Sequence, residues 1–223
     1  MARIGIYGGS FNPVHLGHTS LAEAICQAGG VDEVWLMVSP LNPLKQQEQH
    51  DILPTPLRLL LVEKAVAGSS CLNVSDFETR LPIPSYSVVT LEELVKAYPQ
   101  HTFLLIMGQD NWTNFHRWVR ADDIRSRHDI IVYGRSDSYD PAQSKADVRI
   151  IRRDGTEEVL SDSHDFRLFD ISSTEIRRAF QLHDLPFAAK WLHPDVFRYI
   201  LENGLYRDLL LSDKSFLHGM KSG

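Results

Sequence analysis

The chain has 223 residues, of which 43% are hydrophobic and 23% charged, and its formal net charge is −6. This balance supports a sizeable core in one large domain and excludes a protein that coats nucleic acid through a basic surface. No apolar stretch approaches the length of a membrane span, and the N-terminus enters a strand-like run without a signal region, so the cytoplasm is the expected location.

Arg3 to Tyr7 is a short apolar run ahead of two glycines, the pattern of a buried strand. His18 to Ala28 places Leu21, Ala24, Ile25 and Ala28 at helical spacing and stops at Gly29-Gly30. Cys26 lies in that helix and Cys71 opens a later strand. Neither has metal-ligand spacing, and a core of this size needs no disulfide, so both are read as reduced core residues. Glu33 to Ser39 is a second strand, Asn42 to Thr55 a polar loop with prolines, and Pro56 to Ala67 a helix with Pro in its first turn. Cys71 to Ser75 is a third strand, Pro82 to Pro84 a turn, and Ser87 to Ala97 a helix with Val88, Leu91, Leu94 and Val95 on one face. Thr102 to Met107 and Asp129 to Tyr133 are further strands, and Val148 to Ile151 is a candidate sixth. Strand alternating with helix predicts a Rossmann-like α/β fold, a doubly wound parallel sheet with helices on both faces. The last third is more helical, with Ser172 to Gln181 and Pro194 to Glu202 as helices. The segment Ser136 to Ser163 is polar and rich in turns. Residues 1–207 are taken as the functional domain and 208–223 as a loosely patterned tail.

Two strings carry chemistry. The first, Gly8-Gly9-Ser10-Phe11-Asn12-Pro13-Val14-His15-Leu16-Gly17-His18, lies between the first strand and the first helix, where open parallel sheets bind ligands. Glycines let a phosphate approach the backbone, and two imidazoles near a helix start join its outward N–H groups as an anion cradle. It is neither a dinucleotide fingerprint nor a P-loop. The second is Asp170-Ile171-Ser172-Ser173-Thr174-Glu175-Ile176-Arg177-Arg178. Ser172 with Glu175 is a capping box, common in itself. Three consecutive hydroxyls and Arg177 one turn along add what a triphosphate needs.

Together the strings resemble the paired signatures of the nucleotidylyltransferase superfamily. Within it the chain is similar to the bacterial nicotinate mononucleotide adenylyltransferases, through Pro84-Ser85-Tyr86-Ser87, Gly108-Gln109-Asp110, Trp118 and the closing segment Tyr199 to Tyr206, over roughly residues 2 to 207. The resemblance implies ATP and nicotinate mononucleotide as substrates, Mg²⁺ brought with ATP rather than held in a protein cage, and neither nucleic acid nor membrane as partner. It implies that His15 and His18 contact the ATP phosphates, with Gly8, Gly9, Ser10 and Phe11 lining their loop and Lys45 as a further phosphate contact. Ser172, Ser173, Thr174 and Arg177 take the phosphate tail from the other side. Gly108 and Asp110 serve the ribose region, Trp118 stacks on the pyridine ring, and Tyr86 and Ser87 frame it. Arg135, after the fifth strand, is a further mononucleotide contact. Departures from the family pattern are Ser10 for Thr, Asn12 for Asp, Leu44 for His and Ser87 for Thr. The alternatives are a pantetheine-phosphate adenylyltransferase and a nucleotide-binding regulator without turnover. A redox Rossmann protein is disfavoured because its glycine fingerprint is missing.

Overall fold

The apolar runs expected as strands pair side by side in a computed structural model that describes residues 1–40, 52–135, 146–162, 164 and 166–206. β1 (Arg3–Gly9), β2 (Glu33–Val38), β3 (Leu72–Ser75), β4 (Thr102–Gly108) and β5 (Ile130–Arg135) are parallel, and β6 (Ala146–Ile151) and β7 (Glu157–Val159) continue the sheet. The order is β3-β2-β1-β4-β5-β6-β7. Strand addition therefore runs one way from β1 to β3 and the other way from β4, which opens a crevice above the carboxyl ends of β1 and β4.

Alternation along the strands builds two cores. Val34, Leu36, Val38, Leu104 and Ile106 face one side with Leu21 and Ile25 of α1 (Leu16–Gln27) and Leu61 and Val62 of α2 (Thr55–Val66). Ile6, Met37, Phe103, Leu105 and Met107 face the other, against Leu91 and Leu94 of α3 (Ser87–Ala97) and Ile124 of α5 (Ala121–Arg127). Between β4 and α5 lies the short α4 (Gln109–Thr113). The C-terminal helices α6 (Ser173–Gln181), α7 (Leu185–Trp191) and α8 (Pro194–Glu202) join the first core through Ile176, Ala188, Val196 and Ile200. Lys64 of α2 lies over the ring of Tyr199 in α8, 5.1 Å from its centroid.

Two expectations need correction. The sheet is not parallel throughout: β6 pairs antiparallel with β5, and β7 antiparallel with β6. Parallel neighbours need a crossover of about a dozen residues or more. Between β6 and β7 the chain has only a tight turn, where Gly155 adopts φ 89 and the Asp154 carboxylate accepts from the Thr156 backbone at 2.9 Å. The first helix begins at Leu16 rather than His18, so His15 is its N-cap and His18 stands in its first turn. Both cysteines are free and partly buried, as expected. Among the described residues no helix is long and apolar enough to cross a membrane. Lys45 and the 208–223 tail lie outside the described residues, as does the side chain of Arg135 at the end of β5.

The centre of the sheet leaves no room for a side chain at position 5. A Cβ on Gly5 would sit 2.6 Å from Ile106 Cδ1. Gly5→Ala is expected to destabilise by about 1–3 kcal/mol in urea unfolding, the usual scale for overpacking. Adding Ile106→Val, which removes that methyl, should recover part of the loss, a non-additivity that a double-mutant cycle measures.

Candidate active site

The first loop is shaped from within. Gly8 faces open space, whereas a Cβ on Gly9 would meet the Phe11 ring at 3.0 Å. Phe11 takes φ 46, a backbone region that a bulky side chain rarely adopts, and its ring is buried. It packs edge-on to His18, with centroids 5.1 Å apart, and edge-on to Tyr7 at 5.9 Å. Phe11 thus props the loop from below instead of facing outward.

His15 and His18 form one unit, their rings 3.7 Å apart at an interplanar angle of 34°. The His15 backbone N–H donates to His18 Nδ1 at 3.2 Å. That nitrogen is therefore the acceptor, and in the neutral ring Nε2 carries the hydrogen. His15 Nδ1 is buried without a hydrogen-bond partner, and its ring lies against Gly17, where a Cβ would come within 3.0 Å. Burial pushes the His15 pKa down to about 4. Burial, and then the neighbouring His15, push His18 well below its ordinary value. The pair is neutral at pH 7 with no anion present.

The second string closes on the first. The Ser173 hydroxyl donates to the Pro13 carbonyl at 2.9 Å, and the Arg177 guanidinium donates to the Asn12 carbonyl at 2.9 Å. Ser172 caps α6, accepting from the Glu175 N–H at 3.2 Å and donating to its carboxylate at 2.7 Å. The hydroxyls of Ser172 and Ser173 are therefore engaged within the protein. At this helix start the donors left for a ligand are the amides of Ser173 and Thr174, the exposed Thr174 hydroxyl and Arg177, which donates to that hydroxyl at 3.3 Å.

A buried arginine absent from the sequence reading holds the loops in place. Arg58 of α2 is 1% exposed. It donates to the carbonyls of Ser10 at 2.6 Å, Ser39 at 2.8 Å and Leu53 at 2.9 Å, and to the Thr55 hydroxyl at 2.9 Å. Burial lowers its pKa, but an arginine starts so far above neutrality that it remains a cation. Asn12 is a second unforeseen junction. Its side-chain oxygen accepts from the Leu53 N–H at 3.1 Å and from the Tyr206 hydroxyl at 3.0 Å. An amide therefore serves as a structural acceptor at the position where the family pattern has a carboxylate.

On the far side of the crevice, Gly108 leads from β4 into α4, and a Cβ there would come within 2.5 Å of the Asp110 carboxylate. Asp110 is exposed and raises the pKa of the buried pair Tyr7 and Tyr133, whose hydroxyls are 2.9 Å apart, although burial is the larger cause. Tyr86 is the N-cap of α3 and Ser87 its first residue. Trp118 is half-buried beside Phe115, centroids 5.5 Å apart, in a loop that ends at Arg120 with φ 54. Arg120 ties that loop to α3 through Glu92, with N–O distances of 2.7 and 3.1 Å. An open cleft of about 500 Å³ is lined by Gln109, Trp112, Phe115, His116 and Arg125, none of them in the two strings. Among the described residues no group of three or more His, Cys, Asp or Glu side chains could hold a metal ion.

Comparison with known proteins bears on this arrangement. A cytidylyltransferase-like family model matches residues 6–179. A Bacteroides fragilis protein named "Probable nicotinate-nucleotide adenylyltransferase" is 42% identical over 202 residues, covering 90% of this chain and 92% of the relative. A Flavobacterium johnsoniae protein of the same name is 36% identical over 206 residues, covering 92% and 99%. The solved structure of Plasmodium falciparum nicotinic acid mononucleotide adenylyltransferase complexed with NaAD has the same fold, with a TM-score of 0.66, 19% identity, and 92% and 98% of the two chains covered.

The low histidine pKa has a measurable sign. With His15 near 4 when folded and about 6.5 when unfolded, the unfolded chain binds more protons in this window. Stability is therefore complete above about pH 6.5 and is lost as pH falls toward 4, by on the order of 3 kcal/mol for this one group. Urea unfolding of His15→Gln across that range should show a shallower pH slope than the parent.

Proposed function

The chain belongs to the nicotinate-nucleotide adenylyltransferases of the cytidylyltransferase-like family, and we infer that it transfers the adenylyl group of ATP to nicotinate mononucleotide, forming nicotinate adenine dinucleotide for NAD synthesis. One observation carries the reading. Two strings about 160 residues apart are hydrogen-bonded into a single anion cradle above the crevice between β1 and β4.

The mononucleotide phosphate is largely dianionic at neutral pH, its second pKa being about 6, so no general base is required. One of its oxygens attacks the α-phosphorus of ATP. A new P–O bond forms, the bond to the leaving group breaks, and pyrophosphate departs with the electron pair. Alignment and charge stabilisation then account for the rate. His18, its Nδ1 engaged by the His15 N–H, can offer Nε2–H to a phosphate oxygen. Polyphosphate beside the histidine pair would favour their charged forms and so raise pKa values that burial holds low in the free protein. Arg177 and the first-turn amides of α6 take the outer phosphates, and buried Arg58 adds positive potential behind Ser10. A Mg²⁺ ion carried by the nucleotide would supply neutralisation of the phosphate charge.

Asp110 meets the ribose, and Trp118, Tyr86 and Ser87 bound the pyridine. The N-terminus of α3 presents free N–H groups that favour the carboxylate of the acid over the neutral amide. With small anionic substrates the site works in the cytoplasm.

The test is pyrophosphate release from ATP and Mg²⁺ with nicotinate mononucleotide, its amide and phosphopantetheine in parallel. The acid should give the highest kcat/KM. Equal values for acid and amide would remove the α3 assignment, and turnover with phosphopantetheine alone would overturn the acceptor. His15→Ala and His18→Ala should each lower kcat by about 10²–10³, the scale for losing one such donor.

A further inference from the structure

The mechanism leaves one buried carboxylate unused. Glu78, in the 3-10 turn Phe77–Arg80 after β3, is 8% exposed. Its Oε2 accepts from the Ser39 hydroxyl at 2.7 Å and its Oε1 from the Thr90 hydroxyl at 3.0 Å. Burial pushes its pKa up, while the hydroxyls of Ser39, Thr90 and, more weakly, Ser85 pull it back. The neighbouring Arg80 turns away to Asp76 at 2.7 Å, and among the described residues the partners of Glu78 are hydroxyls.

Each partner leads to a different part of the site. Ser39 follows β2, its N–H donates to the Gly9 carbonyl at 2.9 Å, and its own carbonyl accepts from Arg58 at 2.8 Å. Ser39 is thus joined to the phosphate loop. Thr90 is 2% exposed in the first turn of α3, and its N–H donates to the Tyr86 carbonyl at 3.1 Å. Glu78 therefore stands between the end of β2 and the turn that carries Tyr86 and Ser87. A carboxylate out of water is costly unless its oxygens are engaged, and a purely structural tie here could be apolar. What the carboxylate adds is two acceptors at fixed separation, which set where α3 begins relative to Gly9.

We propose that Glu78 is a positioning residue for the acceptor half of the site, holding the N-terminus of α3 in register with the phosphate loop through Ser39 and Thr90. This rests on the reading that α3 frames the mononucleotide. ATP is held by the histidine loop and α6, which Glu78 touches only at second hand through Ser39, so the effect falls on the acceptor.

The experiment is steady-state kinetics of the full chain carrying Glu78→Gln, with each substrate varied in turn. Gln has nearly the same size but offers one acceptor and an NH₂ in place of two acceptors. KM for nicotinate mononucleotide should rise about tenfold, the scale of one charge-assisted hydrogen bond, with KM for ATP and kcat each within about threefold of the parent. Thr90→Val, close to isosteric, removes one of the two ties and should move the same constant in the same direction by about threefold. It decides the matter if the Gln variant does not fold. A parallel rise in both KM values, a fall in kcat alone, or no change would overturn the proposal. If the parent prefers phosphopantetheine, the acceptor reading falls, and the same split measured with that acceptor still decides Glu78.

Discussion

A single buried guanidinium organises the carboxyl edge of this sheet. The carbonyls of Ser10 and Ser39 end segments that follow adjacent strands, and the Leu53 carbonyl and Thr55 hydroxyl lie at the entry to α2. Each is a polar group at an edge where the sheet no longer supplies hydrogen bonds, and each needs a donor once helices cover it. Arg58 supplies them from one planar group, and among the described residues none of its hydrogen-bond partners is a carboxylate. Its charge is thus left to favour anions in the crevice above, so a group required for packing also prepares the site for phosphate.

The same edge shows how buried polar groups share the work. Asn12 receives Leu53, Tyr206 and Arg177, and Ser39 receives Arg58 while donating to Glu78. Fully engaged polar networks specify one arrangement, because any slip leaves a buried group without its partner. Gly9 and Gly17 add a steric version of this constraint: their missing Cβ atoms are the spaces taken by Phe11 and His15. His15 and His18 are held by packing as much as by hydrogen bonds, and their neutrality follows from that enclosure.

Much of this was legible in the sequence, and the remainder has physical reasons for being hidden. The helices Ser87–Ala97 and Pro194–Glu202 read directly from apolar spacing, and the two signature strings do meet in space. The antiparallel edge was hidden because β7 is three residues of exposed Glu-Glu-Val with no alternation to read. α4 and α5 are too short to establish a period, although Asp184 ahead of Pro186 was an available start signal for α7. Arg58 and Glu78 escaped because a charged residue in a helical segment is usually on the surface, and burial is a property of the assembled fold. Residue type also did not show that, without ligand, the Ser172 and Ser173 hydroxyls engage the Glu175 carboxylate and the Pro13 carbonyl.

The bond between Asn12 and Tyr206 spans almost the whole described chain, and Arg177 and Ser173 reach back nearly as far. During synthesis the strands around β1 can form early, but the cradle has only one wall until the last helices emerge and dock. The cradle is therefore complete only when Ser173, Arg177 and Tyr206 have docked on the first loop. Because a ligand stabilises only the form that binds it, ATP rewards completion and leaves partial chains without that support.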